Sequence, residues 1–167
     1  MKSVFIIITV LIVMSGCSGK TSGQVKLTTW NVQTFFDSVT EGTEYSEFTK
    51  AGKWNSDAYS ERLKRLCSSM KKMNSDVFVL EEIENEAVMY DIGELLAGEW
   101  NNSRRYRYAC FAKKVGGATG CGVISRLPLE QLSVHGLDVR DSPLLMPLLR
   151  PILQVRVRCG EKILYCL

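Results

Sequence analysis

A chain of 167 residues, 46% hydrophobic and 23% charged, has the length of one domain and the composition of an ordinary globular protein, which excludes a disordered or fibrous class. Its formal charge of +3 is too small to argue for a nucleic-acid partner or against one. The six cysteines include no C-x-x-C pair and no Cys/His cluster, so zinc is not indicated, and no internal repeat or low-complexity run interrupts the chain.

Residues 1–16 read as a signal peptide outside the fold. Lys2 is followed by an apolar run from Val4 to Met14, too short to span a bilayer but suited to a signal-peptide core. Ser15 and Gly16 supply the small residues of a cleavage site, and Cys17 follows directly. This junction resembles the lipobox of bacterial lipoproteins, with Met14 where leucine is commonest. The resemblance implies lipidation of Cys17, a membrane anchor and an address in the bacterial cell envelope, periplasmic or on the surface. Two or more acyl chains anchor stably, each buried methylene adding about 0.8 kcal/mol. Residues 17–24 form a short polar tether, and 25–167 are the domain.

Val25–Asn31 is β-rich and reads as the first strand; its polar end, through Asp37, leaves the sheet. Residues 38–55 are polar, with Gly42 and Gly52 and no period, a loop of the kind that carries function. Ser56 is the predicted N-cap of a helix, with Asp57 in its first turn. Tyr59, Leu63, Leu66, Cys67, Met70 and Met73 recur at helical spacing, and Arg62, Lys64, Arg65, Lys71 and Lys72 read as its solvated outer face. Asp76–Glu82 is the central strand, buried on both faces. It ends on Glu81 and Glu82, and strand alternation lets only one of them point to a given face. The carboxyl end of a buried strand in an open α/β sheet is where ligand sites form, and Glu82 is assigned there to a divalent metal.

Glu86–Leu96 is a second helix, with Val88, Met89, Ile92, Leu95 and Leu96 on one side. Arg107–Ala112 and Cys121–Arg126 are strands joined by a glycine-rich connection, which is no Walker A motif because no Gly-Lys-Ser/Thr follows. Arg104, Arg105 and Arg107 interleave with Tyr106 and Tyr108; this reads as a strand entering from a polar loop, with nucleic-acid contact as the competing reading. Leu127-Pro128-Leu129 ends the strand. His135, the only histidine, lies between two strand-like segments and is given no catalytic role. Ile152–Arg158 alternates cleanly, and Gly160-Glu161 turns the chain into Ile163–Leu167. That turn sets Val155, not Cys159, opposite Cys166. Cys110 and Cys121 flank a hairpin and could meet, Cys67 is a small core residue, and no disulfide is predicted. The chain stops on Tyr165-Cys166-Leu167 in mid-strand: either Leu167 closes a small sheet or the reading frame has been cut.

Three stretches, Thr29-Trp30-Asn31-Val32, Asp76 to Asn85 and Gly122 to Pro128, together resemble the endonuclease/exonuclease/phosphatase family of pancreatic-type DNases, apurinic endonucleases, sphingomyelinases and inositol phosphatases. The resemblance implies an α+β fold, the N-terminal portion of a DNase I-like two-sheet β-sandwich flanked by helices in four α/β/β/α layers. It also implies Mg²⁺ (or Mn²⁺) as cofactor and a phosphodiester substrate: DNA, RNA, phospholipid or phosphoinositide. By that resemblance Glu82 is the principal metal ligand and Asn31 orients the scissile phosphate. Gln33 stands where many relatives carry an acid, so a neutral amide would ligate with one negative charge fewer. The family's catalytic His/Asp pair falls beyond Leu167. The expectation is a truncated Mg²⁺-dependent phosphodiester hydrolase with its second sheet missing and apolar surface left uncovered. The alternative is a catalytically inactive envelope lipoprotein or binding scaffold, and a third reading is complementation by a C-terminal half encoded separately.

Overall fold

Val77, Phe78, Leu80 and Ile83 expose no surface, as a strand requires when apolar side chains leave it on both faces. In the computed structural model, which describes residues 24–98, 105–135 and 152–167, they lie on β2 (Val77–Ile83). The first sheet has four strands ordered β1-β2-β4-β3. β1 (Leu27–Phe35) runs parallel to β2, while β4 (Gly120–Ser125) is antiparallel to both β2 and β3 (Tyr108–Ala112). Parallel neighbours need a crossover, which α1 (Ser56–Met73) provides; α2 (Glu86–Ala97) follows β2.

Asn55, not the expected Ser56, caps α1, its side chain accepting the Ala58 N–H at 3.0 Å. Asparagine and serine are near-equal caps, so adjacent candidates were inseparable by type. Asn55→Ala is expected to lower stability by about 1 kcal/mol, read as a lower urea midpoint at unchanged slope. At the other end Asn74 adopts the left-handed conformation, φ 49°, and accepts a hydrogen bond from Arg126 Nη2 at 2.9 Å.

Both helices cover one face of the sheet. Tyr59, Leu66, Cys67 and Met70 of α1 and Val88, Met89, Ile92 and Leu96 of α2 enclose Phe78, Leu80, Ile83 and Ile124. On the opposite face Val77, Ala112 and Val123 meet Leu153, Val155, Val157 and Cys166 from a second sheet. That sheet is an antiparallel meander of β5 (Leu129–His135), β6 (Ile152–Cys159) and β7 (Lys162–Cys166). The chain is therefore a mixed α+β structure with a layer of helices and two facing sheets; among the described residues no helix covers the outer side of the second sheet.

The second sheet corrects the expectation that it is missing. β5 escaped notice because a bulge between Glu130 and Leu132 breaks its alternation, so Leu129 and Leu132 both pair across to valines. Val155 stands opposite Cys166 as expected, through a turn in which Gly160 takes φ 66°. Cys110 faces Val123 and Cys121 faces Ala112, so they do not meet, and all five described cysteines are free thiols. Burial pushes the Cys67 thiol up to about 12 and Cys110 to about 11, which leaves both poor nucleophiles. Tyr106 turns inward: its hydroxyl donates to Ser75 O at 2.7 Å and its ring lies against Phe78 and beneath the Arg126 guanidinium. Arg105 and Arg107 are exposed on the way into β3, and Arg104 lies outside the described residues. The signal peptide, Cys17 and all but the last residue of the tether also lie outside the described residues. No helix of the described residues is long and apolar enough to cross a membrane.

Candidate metal and phosphate site

The parallel register of β1 and β2 runs evenly to Asn31 opposite Glu81 and resumes only at Phe35 opposite Ile83. Residues 32–34 therefore stand against Glu82 alone. Against β4 the same residue is passed over, with Glu81 opposite Cys121 and Ile83 opposite Gly120. Regular alternation would carry Glu82 into the helix-side core after Phe78 and Leu80. The bulge puts Ile83 in that place, as it puts Phe35 in the core after Trp30 and Val32. Gly120, opposite Ile83, can carry no side chain because a Cβ there would lie 2.2 Å from Ala112 O at the end of β3.

Three non-glycine residues take left-handed backbone here: Gln33 at φ 58°, Thr34 at 52° and Glu82 at 64°. Such residues cost about 1–3 kcal/mol each and persist where surrounding contacts over-determine them. The contacts are specific. Asn31 Nδ2 donates to Glu82 Oε1 at 3.0 Å, the Thr34 N–H donates to Glu82 Oε2 at 2.8 Å, and the Gln33 N–H donates to Asn31 Oδ1 at 2.8 Å. A donor on one side and a carboxylate on the other leave the Asn31 amide a single orientation. Asn31 and Glu82 are thus brought together, facing the same way at the carboxyl ends of adjacent strands. Gln33 joins them through its backbone; its exposed carboxamide makes no hydrogen bond among the described residues.

Arg62 was expected on the solvated face of α1 and is instead turned under this bulge. Nη1 donates to Thr34 O at 3.1 Å, and Nη2 to Val32 O at 3.3 Å and to Gln33 O. The guanidinium lies 4.8 Å from the Phe35 ring centroid, 5.4 Å from Phe48 and 5.9 Å from Trp54. Loop 38–55 supplies two of those rings, pinned by the Trp54 indole N–H on Asp37 O. Burial, then the neighbouring Arg65, draws the Arg62 pKa below its usual value. The signal was present: Arg62 sits three residues after Tyr59 and four before Leu66, on the apolar stripe itself.

Behind the bulge lies an acid pair that sequence reasoning passed over. Glu84 is fully buried; Oε2 accepts the Asp37 N–H at 2.6 Å and Oε1 finds no donor among the described residues. Burial, against the pull of that Asp37 N–H and with Asp37, Glu44 and Glu41 adding negative charge, raises its carboxyl to about 7. Glu44 faces it. Burial nudges Glu44 up, but backbone N–H groups of Glu41 and Gly42 and the Glu84 carboxyl draw it below the usual range. A neutral Glu84 can donate from Oε1 to the Glu44 carboxylate, which explains why the two shift in opposite directions.

A cleft of about 350 Å³ opens beside the bulge, lined by Trp30, Asn31, Gln33, Arg62, Arg65 and Ser69 among others. The donor set at its edge is one carboxylate and two amides, all hard oxygen ligands. The Asn31 and Thr34 bonds engage one each of the two Glu82 carboxylate oxygens. Mg²⁺ is commonly held by one or two carboxylates and keeps several waters, so these residues fit it better than a cage-demanding ion. Among the described residues no group of three or more His, Cys, Asp or Glu side chains converges as a metal cage. His135 ends β5, where Nε2 meets Gln154 Oε1 at 2.7 Å, and touches neither Asn31 nor Glu82. No protein-family model and no curated protein matches this chain.

Proposed function

We propose that this chain is a Mg²⁺-dependent (or Mn²⁺-dependent) phosphodiester hydrolase of the endonuclease/exonuclease/phosphatase type, the N-terminal portion of a DNase I-like sandwich carried on a bacterial lipoprotein. The observation that carries the reading is the Asn31–Glu82 hydrogen bond at two parallel strand ends, kept by three left-handed residues that a plain strand terminus would not need. When bound, Mg²⁺ supplies charge neutralisation at the phosphate and a more acidic water. Glu82 holds the ion through oxygens already oriented by Asn31 and Thr34. The second Asn31 Nδ2 hydrogen donates to a phosphate oxygen, and the Gln33 side-chain carbonyl adds a neutral oxygen beside it. Arg65, lining the adjacent cleft, attracts the anionic substrate, whether nucleic acid or another phosphodiester. On this reading acylated Cys17 holds the protein in the bacterial envelope.

The position of His135 favours a second reading. With the only imidazole bonded to Gln154, no histidine base stands beside Glu82 among the described residues, and general acid–base help is worth about 10²–10⁴-fold. The chain would then be an inactive envelope lipoprotein or a scaffold that binds metal and phosphate without turnover.

Incubating the full chain with bis(4-nitrophenyl) phosphate and with linear DNA, in Mg²⁺ and in EDTA, tests both. Release that requires Mg²⁺ supports the hydrolase. Calorimetric Mg²⁺ binding with no release selects the scaffold, and neither binding nor release overturns the hydrolase and the scaffold and leaves the inactive lipoprotein.

A further inference from the structure

We infer that Arg62 is a positioning residue: by gathering the carbonyls of residues 32–34 it holds the bulge in the shape that presents the Thr34 N–H and Asn31 to the Glu82 carboxylate. As a statement about metal affinity the inference rests on the reading above; as a statement about the bulge it stands on geometry alone. Three consecutive carbonyls point to one guanidinium, and two of them belong to the left-handed residues Gln33 and Thr34. In that conformation the carbonyls are turned out of the β1–β2 ladder; Thr34 O takes the Phe36 N–H at 3.1 Å as a local donor, and Arg62 supplies a second donor there and the donor to Gln33 O. A planar fork with five N–H donors can serve three oxygens at once. The ring faces of Phe35, Phe48 and Trp54 keep the fork from swinging out to water, and all three come from segments flanking the site.

The chain of contacts is short. Arg62 fixes Thr34 O, the same residue's N–H fixes Glu82 Oε2, and the Gln33 N–H fixes the amide that holds Glu82 Oε1. Arg62 itself touches neither carboxylate oxygen, so its influence on a metal is through orientation. Lysine cannot replace it, because one ammonium offers neither the fork nor the flat face that stacks on the rings.

The test uses Arg62→Lys and Arg62→Ala in the full chain, with Lys64→Ala, an exposed neighbour paired with Glu61, as the control. Two readouts are needed: amide hydrogen exchange at Gln33 and Thr34 in EDTA, and the Mg²⁺ dissociation constant by calorimetry. Loss of exchange protection at 33–34 with a rise in dissociation constant of about 10–100-fold, the range seen for partners behind a ligand, is expected in both Arg62 variants and in neither control readout. Added guanidinium ion is expected to recover part of the Arg62→Ala loss. Wild-type exchange, or altered exchange with unchanged Mg²⁺ affinity at Glu82, overturns the inference and leaves Arg62 a packing residue. If wild type and Glu82→Gln bind Mg²⁺ equally poorly while exchange still rises in Arg62→Lys, the metal reading falls and the role of Arg62 in shaping the bulge stands. Near-UV circular dichroism of Arg62→Lys shows that the comparison is made on a folded chain.

Discussion

Glu82→Gln is expected to lower Mg²⁺-dependent hydrolysis by about 10³-fold, equivalent to roughly 4 kcal/mol of transition-state stabilisation. The side chain keeps its length, so Oε1 of the glutamine can still accept the Thr34 N–H now held by Glu82 Oε2. Two things are lost. The single negative charge of the donor set disappears, and with Gln33 already neutral nothing replaces it. The glutamine NH₂ also faces the Asn31 NH₂, donor against donor, where the carboxylate accepted at 3.0 Å. The Asn31 amide must then rotate and surrender the Gln33 N–H, so the variant disturbs phosphate orientation as well as metal binding. Because Glu82 lies at the rim and not in the core, its thermal midpoint is expected to move by only a few degrees. The measurement is kcat/KM for a phosphodiester in Mg²⁺, wild type against variant. Equal rates would remove this site from the chemistry, whatever the rates are.

The parts of this arrangement that were legible in the sequence depend on apolar pattern. Val77, Phe78 and Leu80 announce a strand buried on both faces, and a polar pair at the end of such a run announces a rim. Asn31 was singled out by the family resemblance of Thr29-Trp30-Asn31-Val32 and not by apolar pattern. What pattern did not disclose is the bulge. Left-handed backbone is usually signalled by glycine, and here it falls on Gln33, Thr34 and Glu82, residues with no preference for it. Their conformation is imposed by tertiary contacts, above all by Arg62, whose place on the apolar stripe was outweighed by its charge. Long basic side chains can bury their stems and stack their heads, so charge alone does not put a helical residue in solvent. Asn55 and Ser56 were separated only by geometry. β5 hid behind a bulge of its own, where Glu130 and Gln131 interrupt the alternation that would have marked it.

Glu84→Gln is expected to make the chain more stable at pH 8 and to leave it nearly unchanged at pH 4, because the wild-type residue is a buried acid that folding keeps protonated. Its carboxyl is raised in the native state to about 7, by burial first and by Asp37, Glu44 and Glu41 in addition, whereas an unfolded glutamic acid titrates near 4.3. Between those values the native chain holds a proton that the unfolded chain has released. Stability therefore falls as pH rises: the contribution is fully present below about 4.3 and is lost on passing through about 7. A difference of that size amounts to about 3–4 kcal/mol. Glutamine reproduces the neutral acid, its carbonyl accepting the Asp37 N–H and its NH₂ facing the Glu44 carboxylate, and does not titrate. Urea unfolding in EDTA across pH 4–8 reads the effect without a metal near Glu82. Parallel wild-type and variant curves would mean that Glu84 is ionised in the folded chain and that a donor reaches Oε1. Convergence at acid pH and divergence above neutrality would establish that the acid behind the bulge is carried uncharged at the cost of stability in neutral and alkaline conditions.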